Sequence, residues 1–387
     1  MTALTLEDRI WGCLLGSAVG DALGAPTECM HYEDVRRFLG DYRTFEDLER
    51  IFAALEPEKV TGARAIVRQP FHPLGSVTDD TVLADLLLDC ILEHDGRVAA
   101  HVFAEAWDRF EEPIAWPGGP RPRLNCVHWI ERLPFYRNRL REIPKRELGH
   151  GEANATNAIM YIAPVGLLCA GDPLKAELMA ADVTAVNQHG RPRDVAGGYA
   201  AALAACFLPG MTPERIVETA LEHTRDFKHT REMRAMLDLA GRCGTGEEFC
   251  ERYYREIIGP VVPYQDLQHL GGNRSVSWNS SEVLGPALAA FRLTRGSRAA
   301  EMVLMCGRIG RDADTIARVA GGLAGAYLGP SAIPEAWASY VLKRNAWLRL
   351  REKAEQLAAL VRRRLAEEIQ ARQAVLGEAG TGTPTPV

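Results

Sequence analysis

The stretch GCLLGSAVGDALGAPTE, residues 12–28, has a glycine at every fourth position, and the same spacing returns near the other end of the chain. The glycines are Gly12, Gly16, Gly20 and Gly24 in the first stretch and Gly321, Gly325 and Gly329 in the second. This spacing puts them on one face of a helix as a bare ridge, which lets a second helix backbone approach closely. Each glycine in a helix interior costs about 1 kcal/mol relative to alanine, so the repetition indicates a packing or active-site role. We therefore predict two central helices that cross beneath a site.

The rest of the chain favours helices almost throughout. Segments rich in Ala, Leu and Met, rather than in alternating β-branched residues, are 82–92, 200–207, 231–239, 283–293, 299–309 and 316–327. No convincing pair of strands is found. Interruptions rich in glycine and proline predict loops at 113–122, 149–151, 190–192 and 264–279, and long loops are where substrates are usually bound. We expect an all-α fold.

Composition limits the class of protein. The 387 residues are 47% hydrophobic and 25% charged, an ordinary globular composition that can bury a large core. The net charge of −6 comes without long basic runs, which argues against nucleic acid or a membrane surface as partner. Nine cysteines without a CxxC pair indicate reduced core thiols. No signal peptide or apolar span of membrane length is present, so we expect a soluble, cytoplasmic protein.

The chain changes character near residue 331. We predict one compact domain over residues 1–331, an amphipathic helical extension over 332–376 and a disordered tail over 377–387. The apolar stripe of the extension consists of Trp347, Leu350, Ala354, Leu357, Val361 and Leu365. This helix either docks back onto the domain or pairs with a second subunit, so an oligomer is possible through it.

Two clusters of aspartate and threonine lie more than 200 residues apart, and each precedes an apolar helical run. They are Thr78-Asp79-Asp80-Thr81 and Asp312-Ala313-Asp314-Thr315. Either cluster alone is explained by helix capping, which needs one such side chain. Adjacent carboxylates repel each other unless a cation or a proton separates them, so the excess indicates a metal site. Oxygen ligands without His or Cys suit Mg²⁺ or Mn²⁺ rather than Zn²⁺.

With Glu28 at the end of the first glycine ridge, these blocks resemble the ADP-ribosylglycohydrolase family, which includes arginine- and serine-ADP-ribose hydrolases and the dinitrogenase reductase activating enzyme. The resemblance spans residues 8–329 and leaves the terminal helix outside. It implies an all-α fold with a binuclear Mg²⁺ or Mn²⁺ centre. The implied ligands are Thr78, Asp79 and Asp80 on one ion and Asp312 and Thr315 on the other, with Asp314 as the bridge.

The resemblance also implies catalytic roles. Glu28 would sit at the ribose as ligand or base, and Asp79 or Asp80 would manage the water or the leaving-group proton. The sequence does not divide these roles. Asn157 lies in the segment that cradles the pyrophosphate in relatives, and His189 matches a histidine common in the family, so we expect both to bind substrate. A histidine such as His189 equally often caps a helix or fills a polar core position.

The chain departs from the family pattern in two places. Arg311 replaces the second glycine of a pair before the third block, where its guanidinium meets a phosphate or points outward. In the segment 156–164, the pyrophosphate-binding loop of relatives, a flanking glycine is lost and Tyr161 stands where arginine is usual. His150 is most simply a solvated loop residue. Trp278 either stacks a purine or packs, next to a loop formed by residues 279–282.

We therefore expect a metal-dependent glycohydrolase that releases ADP-ribose from an ADP-ribosylated acceptor, with ADP-ribosyl-arginine as the default. The alternatives are hydrolysis of a related nucleoside-type or ribosylated small molecule, and a non-catalytic ADP-ribose-binding relative. A two-metal phosphoesterase would use similar carboxylates but usually adds histidines.

Overall fold

The computed structural model describes residues 4–54, 73–127, 129–140, 143–152, 155–260 and 279–377, and these ranges are helical almost throughout. The α-helices are α1 Leu6–Gly24, α2 Tyr32–Leu39, α3 Phe45–Ala54, α4 Asp79–Glu93, α5 Ala100–Ala106, α6 Trp129–Leu140, α7 Ala163–Leu168, α8 Pro173–Val183, α9 Arg191–Ala205, α10 Pro213–Glu222, α11 Phe227–Ala240, α12 Gly246–Arg252, α13 Ser281–Leu293, α14 Ala299–Arg308, α15 Ala313–Leu328, α16 Glu335–Arg344 and α17 Leu350–Leu376. Short 3₁₀ segments, among them Ala25–Thr27 and Thr156–Tyr161, link several of them. The predicted all-α class is confirmed.

A small hairpin differs from the expectation of no strand pair. Strand β1, Pro113–Ile114, pairs antiparallel with β2, Arg121–Pro122, inside the loop predicted for 113–122. Two residues per strand are too few to leave a periodic signal in the sequence. Within the described ranges, every helix is too short or too polar to span a lipid bilayer.

Helices α1 and α15 cross antiparallel in direct backbone contact, as the glycine ridges predict. A Cβ atom added to Gly12, Gly16 or Gly20 would lie closer than 3.0 Å to the backbone of α15. The contact is mutual, because Gly321 and Gly325 face the backbone of α1 in the same way. Only glycine permits this approach. The first and last thirds of the chain are thereby fixed to each other.

The start of α1 is capped locally and also supports the end of α15. Thr5 and Asp8 form a capping box at the start of α1, in which each side chain accepts the other residue's backbone N–H, at 3.1 and 2.9 Å. Arg9 donates through Nη1 to the carbonyl oxygens of Ala326 and Tyr327, at 2.9 and 3.2 Å. These carbonyls belong to the last turn of α15, where a cation is favoured.

The terminal helix α17 docks back onto its own domain with its first half. Its buried side chains include Leu350, Ala354, Leu357 and Val361, members of the predicted stripe. Beyond this segment the helix is largely exposed, and Leu365 is already 39% exposed. The division of the chain at residues 331 and 376 stays a prediction, and most of the predicted tail lies outside the described residues.

The glycine contact makes a prediction for stability. Gly16→Ala should destabilise the protein by about 3 kcal/mol, because the new methyl group must push two helix backbones apart. Gly244→Ala is the matched control, since its added Cβ would meet only the end of the Glu248 side chain, at 3.8 Å. Urea unfolding of both variants measures the difference. Equal stabilities would contradict the close crossing.

Candidate metal centre

The two acidic clusters meet at the first turns of α4 and α15. One carboxylate oxygen each from Asp79, Asp80 and Asp314 lie within 4.8 Å of one another. The same holds for one oxygen each from Glu28, Asp312 and Asp314. Asp314 belongs to both groups, as a bridging ligand would have to. Its ligand role, which the resemblance implied, stays a prediction. Glu28 is itself a member of the second group. The sequence left open whether Glu28 is a metal ligand or a base.

Helix capping explains only part of the first cluster. Thr78 is the N-cap of α4, because its side chain accepts the backbone N–H of Asp80 at 3.3 Å. Asp312 occupies the corresponding position of α15 but accepts no backbone N–H there. Its Oδ1 accepts instead from the hydroxyl of Thr315, at 2.9 Å. The Asp312 carboxylate is therefore held by side chains and directed into the site, while both helix dipoles favour negative charge at these ends.

Asp21 is a site-building residue that sequence reasoning did not select. It is fully buried on α1 and accepts the backbone N–H groups of Thr78 and Thr81, at 3.0 and 3.2 Å, as well as the hydroxyl of Thr81. The start of α4 is thereby tied to α1. A signal was present in the sequence, because Asp21 is the sole charged residue between Arg9 and Glu28.

Arg318 on α15 supplies a buried positive charge to the same region. Its Nη1 donates to the hydroxyl of Thr81 and its Nε to the carbonyl of Met160, both at 2.6 Å. The arginine thus links α4, α15 and the 3₁₀ segment that contains Asn157. Its charge also lowers the pKa of Asp21 and Asp80, against the stronger effect of burial.

Burial raises the pKa of the carboxyl groups at the centre. Loss of hydration is the largest cause for Asp80, Asp312 and Asp314, and the neighbouring carboxylates raise the pKa of each further. Hydrogen bonds from Thr156 and Thr315 partly offset this for Asp312. Such a cluster is unfavourable when ionised unless cations lie among the oxygens.

Two aspartate oxygen atoms in the cluster are available to bind cations. Oδ1 of Asp80 and Oδ2 of Asp312 are buried and have no hydrogen-bond partner in the part of the chain that the structure describes. Buried polar atoms are nearly always paired, so these two indicate a missing ligand. Both groups offer oxygen donors alone, the chemistry of Mg²⁺ or Mn²⁺. These acidic groups could therefore bind metal.

A backbone clamp holds Glu28 beside Asp312. The N–H of Cys29 donates to the carbonyl of Arg311 at 2.5 Å, and the N–H of Arg311 donates to the carbonyl of Met30 at 2.9 Å. Gly310 makes this possible, since its φ is +74° and an added Cβ would collide with the Met30 carbonyl.

The predicted substrate-binding residues share a polar corner next to the acidic groups. Asn157 is buried, and its side-chain and backbone oxygens accept from Gln188 and Asn187, at 3.3 and 3.0 Å. Tyr161 donates its hydroxyl to the side chain of Asn187 at 2.8 Å, so it helps to hold this corner. His189 is half-buried, with Nδ1 3.2 Å from the carbonyl oxygen of Gly149. Substrate binding by Asn157 and His189 stays a prediction.

Arg311 does not take the outward orientation, one of the two considered from the sequence. Its residue is 3% exposed, and its Nε donates to Oε2 of Glu282 at 2.7 Å. The guanidinium therefore pairs with a carboxylate inside the protein and does not point outward. Trp278 lies outside the described residues. His150 is exposed, in keeping with a solvated loop residue.

Comparison with known proteins gives whole-length matches. A model of the family described as ADP-ribosylglycohydrolase matches residues 2–374, beyond residue 329 and through most of α17. An uncharacterized protein of Archaeoglobus fulgidus is 26% identical over 342 residues, covering 86% of this chain and 91% of its own. The uncharacterized protein YegU of Escherichia coli K12 is 25% identical over 337 residues, covering 85% and 90%. A solved structure titled "ADP-ribosylglycohydrolase-related protein complex" shares the fold, with a TM-score of 0.58, 20% identity and coverage of 91% and 99%.

Asp314 is the residue whose loss should affect both carboxylate groups. Asp314→Ala should remove the rise in melting temperature that excess Mg²⁺ gives the parent protein, because a shared ligand is lost. In chelator the variant should be no less stable than the parent, since a repelling buried carboxylate is gone. Thermal unfolding with and without Mg²⁺ measures this, with the exposed Asp238→Ala as control. An unchanged Mg²⁺ effect in Asp314→Ala would remove Asp314 from the site.

The raised pKa values predict an effect of pH on the metal-free protein. A carboxyl group whose pKa is higher folded than unfolded binds more protons in the folded state, so stability falls as pH rises above 3.8 towards the folded pKa. In chelator, raising the pH through this window should lower the melting temperature. Excess Mn²⁺ should oppose this loss and stabilise more at pH 7 than at pH 5, because protons compete for the ligands. A metal effect that is independent of pH would contradict carboxylate ligation.

Proposed function

The chain belongs to the ADP-ribosylglycohydrolase family, and we propose that it is a metal-dependent glycohydrolase that releases ADP-ribose from an ADP-ribosylated acceptor. Family membership supports glycohydrolase activity in general. The observation that carries the more specific proposal is the pair of carboxylate groups sharing Asp314. The default acceptor is arginine on a protein, and we place the reaction in the cytoplasm, where nine free thiols stay reduced.

The carboxylates would hold two divalent ions, Mg²⁺ or Mn²⁺. Asp79, Asp80 and Asp314, with Thr78, would bind one ion, and Glu28, Asp312 and Asp314, with Thr315, would bind the other. When bound, such ions orient the substrate hydroxyl groups and lower the pKa of a bound water.

The protein side chains divide the remaining work. Glu28 would face the ribose and accept a proton from the attacking water as the bond between the anomeric carbon and the acceptor breaks. Asp79 is less buried than its neighbour Asp80, which favours Asp79 for handling the leaving-group proton. Asp80 belongs to the same carboxylate group but is the more buried of the two, so we assign it a binding role alone.

The corner formed by Asn157 and its partners would hold the phosphate-bearing part of the substrate. The side chain of its neighbour Thr156 lowers the pKa of the Asp312 carboxyl group, which puts this segment beside the acidic groups. His189 lies at the edge of the same corner and would contact substrate from there. The departures at this segment keep a ribosylated small molecule as a second candidate substrate.

The assay combines purified protein, Mn²⁺ or Mg²⁺, and an ADP-ribosyl-arginine peptide. We expect free ADP-ribose, measured by liquid chromatography. Glu28→Gln should lower kcat by about 100-fold or more, in the range of losing a general base. Glu301→Gln is the matched control, because Glu301 is a surface partner of Arg298.

Three results would contradict the proposal. Release of AMP or phosphate would indicate a phosphoesterase, and tight binding of ADP-ribose without turnover would indicate a non-catalytic reader. Full activity of Glu28→Gln at saturating metal would exclude Glu28 as the base.

A further inference from the structure

A buried ion pair lies beside the metal centre but belongs to neither carboxylate group. Arg311 stands on the turn before α15, and Glu282 lies in the first turn of α13. Both Nε and Nη2 of Arg311 contact Oε2 of Glu282, the first at 2.7 Å. The two side chains are 3% and 16% exposed.

The backbone of Arg311 connects the segments that supply the second carboxylate group. Arg311 immediately precedes Asp312, and its N–H and carbonyl are the two ends of the clamp to Met30 and Cys29, next to Glu28. Its φ is +60°, a left-handed conformation that disfavours any side chain larger than glycine's. An arginine occupies this position although its backbone conformation is unfavourable, which indicates that its side chain has a role.

The start of α13 also contacts the segment that carries Thr156. The hydroxyl of Ser280 donates to the carbonyl of Ala155 at 2.9 Å. Ala155 precedes Thr156, whose side chain lies near Asp312 and lowers the pKa of its carboxyl group. The start of α13 therefore contacts both segments that flank Asp312 in space. Glu282 contacts Arg311, the residue before Asp312, and Ser280 contacts Ala155, the residue before Thr156.

The start of α13 is itself anchored away from the site. Ser281 and Asn279 donate to the carboxylate of Glu232 on α11, at 2.6 and 3.3 Å. The backbone next to Glu282 is thus anchored on α11. Through the Arg311–Glu282 contact, this anchoring restrains the backbone next to Asp312.

We propose that Glu282 and Arg311 are positioning residues that set the orientation of Asp312, and with it the affinity of the Glu28–Asp312–Asp314 group for a divalent cation. This inference rests on the metal-dependent activity proposed above. Groups that orient metal ligands in this way typically change metal affinity about 10- to 100-fold when they are replaced.

The energetics separate this role from simple structural support. Replacing a buried ion pair by apolar side chains of similar volume is often neutral or stabilising, whereas removing one partner is strongly destabilising. If the pair only supported the fold, an apolar pair would do equally well. If it positions Asp312, the apolar pair keeps the fold and loses metal affinity.

The test compares Mn²⁺ binding to the parent and to the double variant Arg311→Met/Glu282→Leu, by isothermal titration calorimetry without substrate. We expect about 10- to 100-fold weaker binding at one of two sites, with a melting temperature in chelator equal to or above that of the parent. Asp41→Asn is the control, because it breaks the neighbouring pair with Arg308 (2.5 Å) on the surface.

A second variant keeps the test decisive if the double variant fails to fold. Arg311→Lys retains the charge but loses the planar fork, so an intermediate loss of Mn²⁺ affinity is expected. Parent-like Mn²⁺ binding in either folded variant would overturn the positioning role alone. A parent protein that binds no Mn²⁺ would overturn both this role and the metal-dependent function.

Discussion

The direct contact between the backbones of α1 and α15 is the constraint on which the rest of the structure depends. Glycines on both helices allow it, and a single methyl group at the crossing would prevent it. The contact brings Glu28, at the end of the first helical region, next to Asp312 and Asp314 at the start of the last. Asp21 then draws the first turn of α4 onto α1. One helix crossing thus brings together a site from three distant segments: the end of the first helical region, the first turn of α4 and the first turn of α15.

The crossing has an electrostatic consequence. It concentrates carboxylates in a volume where burial raises their pKa and where each raises the pKa of its neighbours. Arg318 offsets part of this charge, but its hydrogen bonds go to Thr81 and Met160. Two aspartate oxygens stay without a partner among the described residues. Divalent cations would satisfy both the charge and the open oxygens, which links the stability of this centre to its proposed function.

Features with a local period or a local excess were predictable from the sequence. The four-residue glycine spacing predicted the crossing, and each helical segment predicted overlaps an observed helix. The two clusters predicted where α4 and α15 begin, and their surplus of carboxylates over what capping needs indicated a metal site. The bridging role of Asp314 followed from the family resemblance and stays a prediction. Asp21 also stood out in the sequence as the sole charged residue of an apolar stretch. A single charge of this kind does not show which groups it binds.

Long-range partners were not predictable in this way. The pairing of Arg311 with Glu282 joins residues 29 positions apart through a turn in the left-handed region, and no periodicity encodes it. The network of Asn157 with Asn187 and Gln188 likewise depends on how two loops meet. For α17, the apolar stripe predicted which face of the helix is buried. The stripe does not specify the surface that covers this face, so docking onto the same domain could not be distinguished from pairing with a second subunit.

The most direct test of the metal centre is anomalous diffraction from crystals soaked in Mn²⁺. Two peaks are expected, one among Asp79, Asp80 and Asp314 and the other among Glu28, Asp312 and Asp314. An empty cluster in excess Mn²⁺, or ions bound only elsewhere, would contradict the central claim that these carboxylates are assembled to hold two cations.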